Sequence, residues 1–363
     1  MGISVLIDAE PLRHFGKSIT GFGRYIRALI ETIPDQEGIE LSALSSRPID
    51  SPASVRLVAI RRRMPGRLTF PEHVFRLSLD IANARPDVFH SATNEPPMVC
   101  TRPWVQTLHD ITPLLSHNPG FRWERNLWRL RAFAMRRADR VICISRYAAD
   151  CGIRYLRIRP DRIRVIHHGV DPIFTPAVGS PEEDPPYLLY VGSSQLNKGY
   201  SEAFAVIERL AGLGFPHRLR MVGPVHDWAR SSVDGLLAGT TRVDMTGTVS
   251  DAELAELYRG ATALIVTSRA EGFGFPAIEA MASGTPIVSF DNTSLPEVIG
   301  DGGLLVADGD VDAFVEATRT VIMDDRTRAE LSARARARAS AFSRAKSAAE
   351  HAEVYREAAE IRQ

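Results

Sequence analysis

Short β-rich apolar runs alternate with helical patterns along nearly the whole of this 363-residue chain. In the first half they read ISVLID, DVFHS, WVQTL, RVICIS and RVIHHGV, and in the second YLLYVGS, HRLRMVG, TALIVTS, TPIVSF and GLLVADG. A strand that is apolar at consecutive positions must be covered on both faces, and a helix between strands supplies both that cover and the crossover that parallel pairing requires. The pattern therefore predicts an α/β chain with parallel, doubly wound sheets. Its length exceeds the size at which one core stops growing, so two such domains are expected. The stretch DPIFTPAVGSPEEDPP, residues 171 to 186, holds five prolines and four acids and marks the linker. The expected domains are 1–175 and 187–345, followed by an Ala/Arg/Glu-rich helical tail with nothing catalytic in it.

Composition narrows the class further. Hydrophobic residues make up 44% and charged residues 24%, which rules out a disordered chain. The longest apolar runs, such as ATALIV, fall far below the ~20 residues a spanning helix needs. The start MGISVLIDAE lacks a basic leader pattern and reads as a first buried strand. Cys100, Cys143 and Cys151 show no metal-ligand spacing, which fits a reducing cytoplasm. The net charge of zero hides an asymmetry: residues 1–180 hold 26 Lys/Arg against 17 Asp/Glu, while residues 181–363 hold 18 against 27. A basic half suits an anionic partner, and without a nucleic-acid recognition module the expectation is a membrane leaflet or a phosphorylated ligand.

In open parallel sheets, ligands bind beyond the carboxyl ends of the strands. The stretch EGFGFPAIEAMASGTPIV, residues 271 to 288, fits such an end: a strand, a Gly-Phe-Gly-Phe loop, a helix opened by Pro276 and closed by Gly284, then another strand. The backbone of Phe273, Gly274 and Phe275 would lie at a helix amino terminus suited to a phosphate. Glu279, one turn in, suits the vicinal hydroxyls of a ribose, or else simply complements the helix dipole. Glu271, at the strand end, could accept bonds from sugar hydroxyls or remain a solvated loop acid. Lys198 lies in YVGSSQLNKGY, and with only three lysines beside 41 arginines it reads as a phosphate contact or a solvated loop residue.

Gly21 and Gly23 of TGFGRY could admit a diphosphate or merely form a tight turn, since Ile26 stands where a dinucleotide motif needs its third glycine. His109 ends the strand WVQTL and could exchange a proton with a substrate hydroxyl, or be a satisfied loop histidine; His90 and His167-His168 raise weaker versions of the same idea. No metal signature appears, and Asp308-Gly309-Asp310 reads as helix capping. Residues 121–140 hold seven arginines against two acids. On one helix Arg122, Arg125, Arg129, Arg136 and Arg140 would share a face opposite Trp123, Leu127, Leu130 and Ala134, as on anionic lipid or over a core.

Together these residues resemble the family 4 retaining glycosyltransferases of the GT-B fold. Glu271 to Glu279 match its E-x7-E signature, and TGFGRY, LHDITPL, VICIS, VIHHGVD and YVGSSQLNKG follow in the family's order across essentially the whole chain. The resemblance implies two Rossmann-like domains facing across a cleft, an acceptor-side first domain, a nucleotide-sugar-binding second, and a terminal helix over 346–363 crossing back to the first. It implies donor ribose on Glu279, transferred sugar on Glu271 and the Phe273–Phe275 backbone, diphosphate on Lys198 with Gly21 and Gly23, and a sugar hydroxyl on His109. The family's extra basic residue before the lysine is absent, because Ser193-Ser194-Gln195-Leu196-Asn197 stands there; Arg24 and Arg269 are the expected substitutes. The implied partners are a nucleotide-diphosphate sugar, best guess GDP-mannose, and a saccharide acceptor, possibly carried on polyprenyl diphosphate at the inner leaflet. No cofactor, metal or nucleic acid is expected. An epimerase of similar form and a non-enzymatic sugar or nucleotide binder are the alternatives.

Overall fold

The computed structural model describes residues 2–14, 21–60, 69–115, 122–177 and 185–361. The chain divides into two compact units, Met1–Gly169 with Arg344–Gln363, and Val170–Ser343. The first division thus falls at Gly169, short of residue 175, and residues 178–184 of the expected linker lie outside the described residues.

The first unit contains β1 (Ile3–Asp8), β2 (Ile39–Ser45), β3 (Arg56–Ala59), β4 (Val88–Ser91), β5 (Trp104–Leu108), β6 (Arg140–Cys143) and β7 (Ile163–Val165). They form one parallel sheet in the order β3-β2-β1-β4-β5-β6-β7. Its helices are α1 (Gly21–Thr32), α2 (Thr69–Ala84), α3 (Thr112–Leu115), α4 (Arg122–Met135) and α5 (Arg146–Leu156). The second unit contains β8 (Tyr187–Val191), β9 (Arg218–Val222), β10 (Val243–Gly247), β11 (Ala263–Val266), β12 (Ile287–Asp291) and β13 (Leu304–Ala307), all parallel, in the order β10-β9-β8-β11-β12-β13. Around them lie α6 (Tyr200–Gly212), α7 (Arg230–Ala238), α8 (Asp251–Gly260), α9 (Phe275–Ser283), α10 (Leu295–Ile299), α11 (Val311–Met323) and α12 (Asp325–Ala339). The tail helix breaks after α12, and α13 (Arg344–Glu360) packs in the first unit against α1, β1, β4 and β5.

Both sheets are doubly wound and reverse their strand order, at β1/β4 in the first unit and at β8/β11 in the second. These are the crevices where ligands collect in such sheets. The cores are the expected apolar strand residues: Leu6, Ile7, Phe89 and Val105 in one unit, and Leu188, Leu219, Ile265, Val288 and Phe290 in the other, each fully or almost fully buried. Asp310 caps α11 by accepting from the Ala313 N–H at 2.9 Å, which is what the Asp308–Asp310 stretch does.

Three strands were not foreseen. β3 and β10 are edge strands and β2 lies next to the edge, between β3 and β1; the sequences IELSALS, RLVA and VDMTG keep polar residues on partly or fully exposed positions, so they do not read as apolar runs. The 121–140 segment also differs from its expected form. Its helix is α4, ending at Met135, and Arg140 opens β6, where it bonds Glu357 of α13 at 2.6 Å. The buried stripe is Trp128, Ala132 and Met135, whereas Leu130 is 55% and Phe133 49% exposed beside exposed Arg129, Arg136 and Arg137. α4 packs against α3, and Trp128 and Ala132 lie beside Leu114 and Leu115. The side chains of Arg122 and Trp123 lie outside the described residues.

Candidate functional site

At the switch point of the second sheet, the loops following β8 and β11 meet. Lys198 comes from the first and Glu271 from the second, and the lysine Nζ stands 2.7 and 2.8 Å from the two carboxylate oxygens. The sequence places them 73 residues apart, and only the order β8-β11 makes them neighbours. The loops are laced through their backbones. The Arg269 N–H donates to the Asn197 carbonyl at 2.8 Å, and Thr267 Oγ1 donates to the Gly199 carbonyl at 2.7 Å. Gly199 has φ +65°, and a Cβ there would sit 1.8 Å from the Thr267 carbonyl oxygen. Only glycine tolerates both conditions, so the approach that brings Lys198 to Glu271 depends on it.

A second layer holds the β11 loop from behind. Ser294 Oγ lies 3.0 Å from the carbonyls of Glu271 and Phe273, the Glu271 N–H donates to Thr293 Oγ1 at 3.1 Å, and Asn292 Nδ2 donates to the Ser268 carbonyl at 2.9 Å. The only sequence signal at Asn292, Thr293 and Ser294 is a short polar run directly after an apolar strand. Gly274, at φ +105°, caps α9, so Phe275 is its first residue and Pro276 its second. Phe273 is buried edge-on against Phe342, with ring centroids 5.8 Å apart. The loop backbone is thereby preorganised at a helix amino terminus, an arrangement that favours an anion.

Glu279, the fifth residue of α9, is buried and accepts a hydrogen bond from the Tyr258 hydroxyl at 3.0 Å. Arg269 pairs with Glu202 at 2.7 Å and stands 3.8 Å from Asp308. Burial pushes the Glu202 carboxyl up, but the bonds from Arg269 and Ser201 outweigh it and hold it below its usual range. Arg269 thus meets two acids of its own unit.

In the first unit, Gly21 and Gly23 lie in the opening turn of α1, the helix that TGFGRY was expected to open, and Arg24 lies in the same turn. His109 follows β5 and is 5% exposed. Its Nε2 is 2.9 Å from the Ala92 carbonyl, its backbone N–H donates to Asn94 Oδ1 at 3.0 Å, and its ring meets those of Phe22 and Tyr25 at 4.5 and 5.1 Å. Burial lowers its pKa to about 4. The neutral ring must carry its proton on Nε2, because a carbonyl only accepts, and Nδ1 is left as the acceptor.

Behind His109, Tyr25, His90, Thr107, His351 and Tyr355 form a buried hydrogen-bonded cluster. The sequence signalled His90 weakly and the α13 pair not at all, since His351 and Tyr355 look like ordinary residues of a polar helix. Among the described residues, no group of three or more His, Cys, Asp or Glu side chains could hold a metal ion, and no helix is long and apolar enough to cross a membrane.

Comparison with known proteins agrees with this picture. Residues 174–338 match the family Glycosyl transferases group 1, and residues 19–174 match Glycosyltransferase Family 4. O-antigen chain mannosyltransferase B of Escherichia coli is 27% identical over 94% of this chain and 96% of its own. Among solved structures, sucrose-phosphate synthase of Thermosynechococcus elongatus superposes with TM-score 0.82 at 20% identity, covering 98% of each chain. HepE of Anabaena, crystallised with UDP and glucose, superposes with TM-score 0.74 at 20% identity, covering 97% of this chain and 98% of its own. The two family matches meet at residue 174, just past the unit boundary, and together span both Rossmann-like units: the chain belongs to the family 4 glycosyltransferases of the GT-B fold and is a hexosyltransferase.

Proposed function

We propose that the protein is a retaining hexosyltransferase that moves mannose from GDP-mannose to a lipid-linked saccharide in surface polysaccharide synthesis. The observation that carries this reading is the convergence of Lys198, Glu271 and the amino end of α9 at the switch point of the second sheet, with Glu279 one turn inside the helix. The choice of mannose leans on the Escherichia coli mannosyltransferase, which this chain matches over nearly its whole length.

In this reading Glu279, steadied by Tyr258, holds the donor ribose. The Phe273–Phe275 backbone and Glu271 hold the transferred sugar, and Lys198 meets the diphosphate. Arg269 supplies further positive charge. Nδ1 of His109 accepts a hydrogen bond from a sugar hydroxyl. Breaking the bond between the anomeric carbon and the phosphate oxygen puts negative charge on the leaving group and positive character on the sugar. Fixed N–H groups and Lys198 stabilise the former, and the Glu271 carboxylate favours the latter. The acceptor oxygen then forms its bond on the same face, and its proton passes to the departing phosphate oxygen, so configuration is retained. No step is assigned to a metal ion, and turnover is expected to persist in chelator.

The acceptor is a polyprenyl-diphosphate-linked saccharide on the cytoplasmic leaflet. Exposed Arg129, Arg136 and Arg137 beside exposed Leu130 and Phe133 on α4 suit peripheral contact with anionic lipid. Two assays test the reading. Purified protein with GDP-mannose or UDP-glucose, a lipid-diphosphate saccharide and chelator should form product from one donor, and Glu271→Gln should lower turnover rather than affinity alone. Release of free sugar or an epimer without acceptor would count against it. Flotation with phosphatidylglycerol vesicles should carry the protein upward; failure to float removes the membrane part.

A further inference from the structure

The buried cluster in the first unit has a direction that its hydrogen bonds determine. His351 Nδ1 lies 2.7 Å from the Ser347 carbonyl oxygen. A carbonyl only accepts, so Nδ1 bears the proton, and burial keeps the ring neutral with its pKa lowered to about 4. Nε2 of His351 is then an acceptor and takes the hydroxyl proton of Tyr25 at 2.7 Å. With its proton committed, the Tyr25 oxygen must accept from Thr107 Oγ1 at 2.8 Å. Thr107 in turn accepts from His90 Nε2 at 2.8 Å, and His90 Nδ1 accepts from the Tyr355 hydroxyl at 2.8 Å. The opposite polarity would set two lone pairs against each other at His351 and Ser347. A single chain therefore runs Tyr355 to His90 to Thr107 to Tyr25 to His351 to Ser347, beginning and ending on α13 and passing through β4, β5 and α1.

Tyr25 is the middle of that chain and also the ring next to His109, at 5.1 Å and edge-on. Thr107, its other partner, lies two residues before His109 on the same chain segment. We propose that Tyr25 is a positioning residue for His109, its ring fixed by this one-directional chain, so that α13 sets the orientation of the imidazole that faces the donor sugar. The part concerning the sugar rests on the function proposed above; the positioning itself does not.

The test uses the full-length protein with ¹⁵N-labelled histidine. At pH 7 the wild type should show His351 protonated on Nδ1 and His90 on Nε2; His351 protonated on Nε2 overturns the chain, and this measurement needs no variant to fold. Tyr25→Phe keeps the ring but removes both of its hydroxyl bonds. It should displace the His109 imidazole resonances and lower kcat roughly tenfold or more, with donor KM changed by less than about twofold. Tyr355→Phe removes only the first link, leaves Tyr25 tethered on both sides, and should leave kcat and the His109 resonances unchanged while lowering Tm. Unshifted His109 resonances in Tyr25→Phe, or equal kcat losses in the two variants, would show a merely structural network and overturn the proposal. If the wild type turns over neither GDP-mannose nor UDP-glucose, the proposed function is what fails, and the resonances still decide this inference.

Discussion

The two strand-end sites solve the same problem of placing polar groups at a sheet switch point with opposite chemistry. In the first unit the groups are uncharged imidazoles, phenols and a threonine, deeply buried and drawn from α1, β4, β5 and α13. In the second they are charged pairs, Lys198 with Glu271 and Arg269 with Glu202, held by short loops whose backbones bond one another. A neutral cluster can be sealed from water because each atom finds a partner without paying for a buried charge. A charged pair stays partly open to solvent, as Lys198 does at 25% side-chain exposure, and can exchange partners with an incoming anion. The first arrangement suits holding a shape, and the second suits exchanging partners with an anion.

Acid should separate the two most strongly. Burial lowers the pKa of His109 and His351 to about 4 and those of His90 and His168 well below the ordinary value, whereas His217 is the second unit's histidine lowered in this way, also to about 4. A histidine with a depressed folded pKa takes up its proton on unfolding, so its contribution is present above pH 6.5 and is lost as the pH falls toward 4. His109 and His351 should each cost about 3 kcal/mol over that range. The carboxylate pairs lose stability in the same direction but later: Glu202, held below its usual range, keeps its contribution until the pH falls below about 4.5. Hydrogen exchange at pH 4.5 should accordingly show β4, β5 and α13 losing protection while β8, β11 and α9 keep theirs. Simultaneous loss in both units would erase the distinction.

Chemistry gives the next largest difference. Lys198→Ala should lower kcat/KM by roughly 10²–10³ with little change in Tm, because the lysine is half of a partly exposed pair that contributes little to folding. A loss of Tm without loss of turnover would show the pair to be structural.

Gly199→Ala should act on the fold of the same loop. The added Cβ meets the Thr267 carbonyl and the backbone sits at positive φ, so a loss of at least about 2 kcal/mol in denaturant unfolding is expected. Near-neutral stability would mean the loops are not laced as described.

The smallest effect is expected at Tyr258. Replacing it by Phe strips one hydrogen bond from the buried Glu279 carboxylate and should cost about 1–2 kcal/mol, read as a shift in the urea midpoint.

These sites were unevenly legible in the sequence. Strands buried on both faces, from ISVLID to TPIVSF, announced themselves, while β3 and β10 stayed hidden because an edge strand keeps polar residues. The second unit's site could be read because its groups lie in loops after apolar runs, where Lys198, Glu271 and the GFGF backbone have no core role to confuse them with. Their pairing could not be read, since it depends on β8 lying beside β11. The first unit's cluster was almost invisible: His351 and Tyr355 sit in a helix rich in Ala, Arg and Glu, and only its docking on β4 and β5 turns them inward. In α4 the arginine pattern concealed which apolar stripe would be buried.

The most direct measurement of the central claim is calorimetric titration of the purified protein with GDP, UDP and ADP in chelator, repeated with Glu279→Ala and His109→Ala. One nucleotide should bind, Glu279→Ala should weaken it by roughly tenfold or more through loss of the proposed ribose contact, and His109→Ala should leave affinity within a few fold, because the proposed ribose and diphosphate contacts, Glu279 and Lys198, lie in the second unit. Binding unchanged in Glu279→Ala, or abolished only in His109→Ala, would contradict that claim.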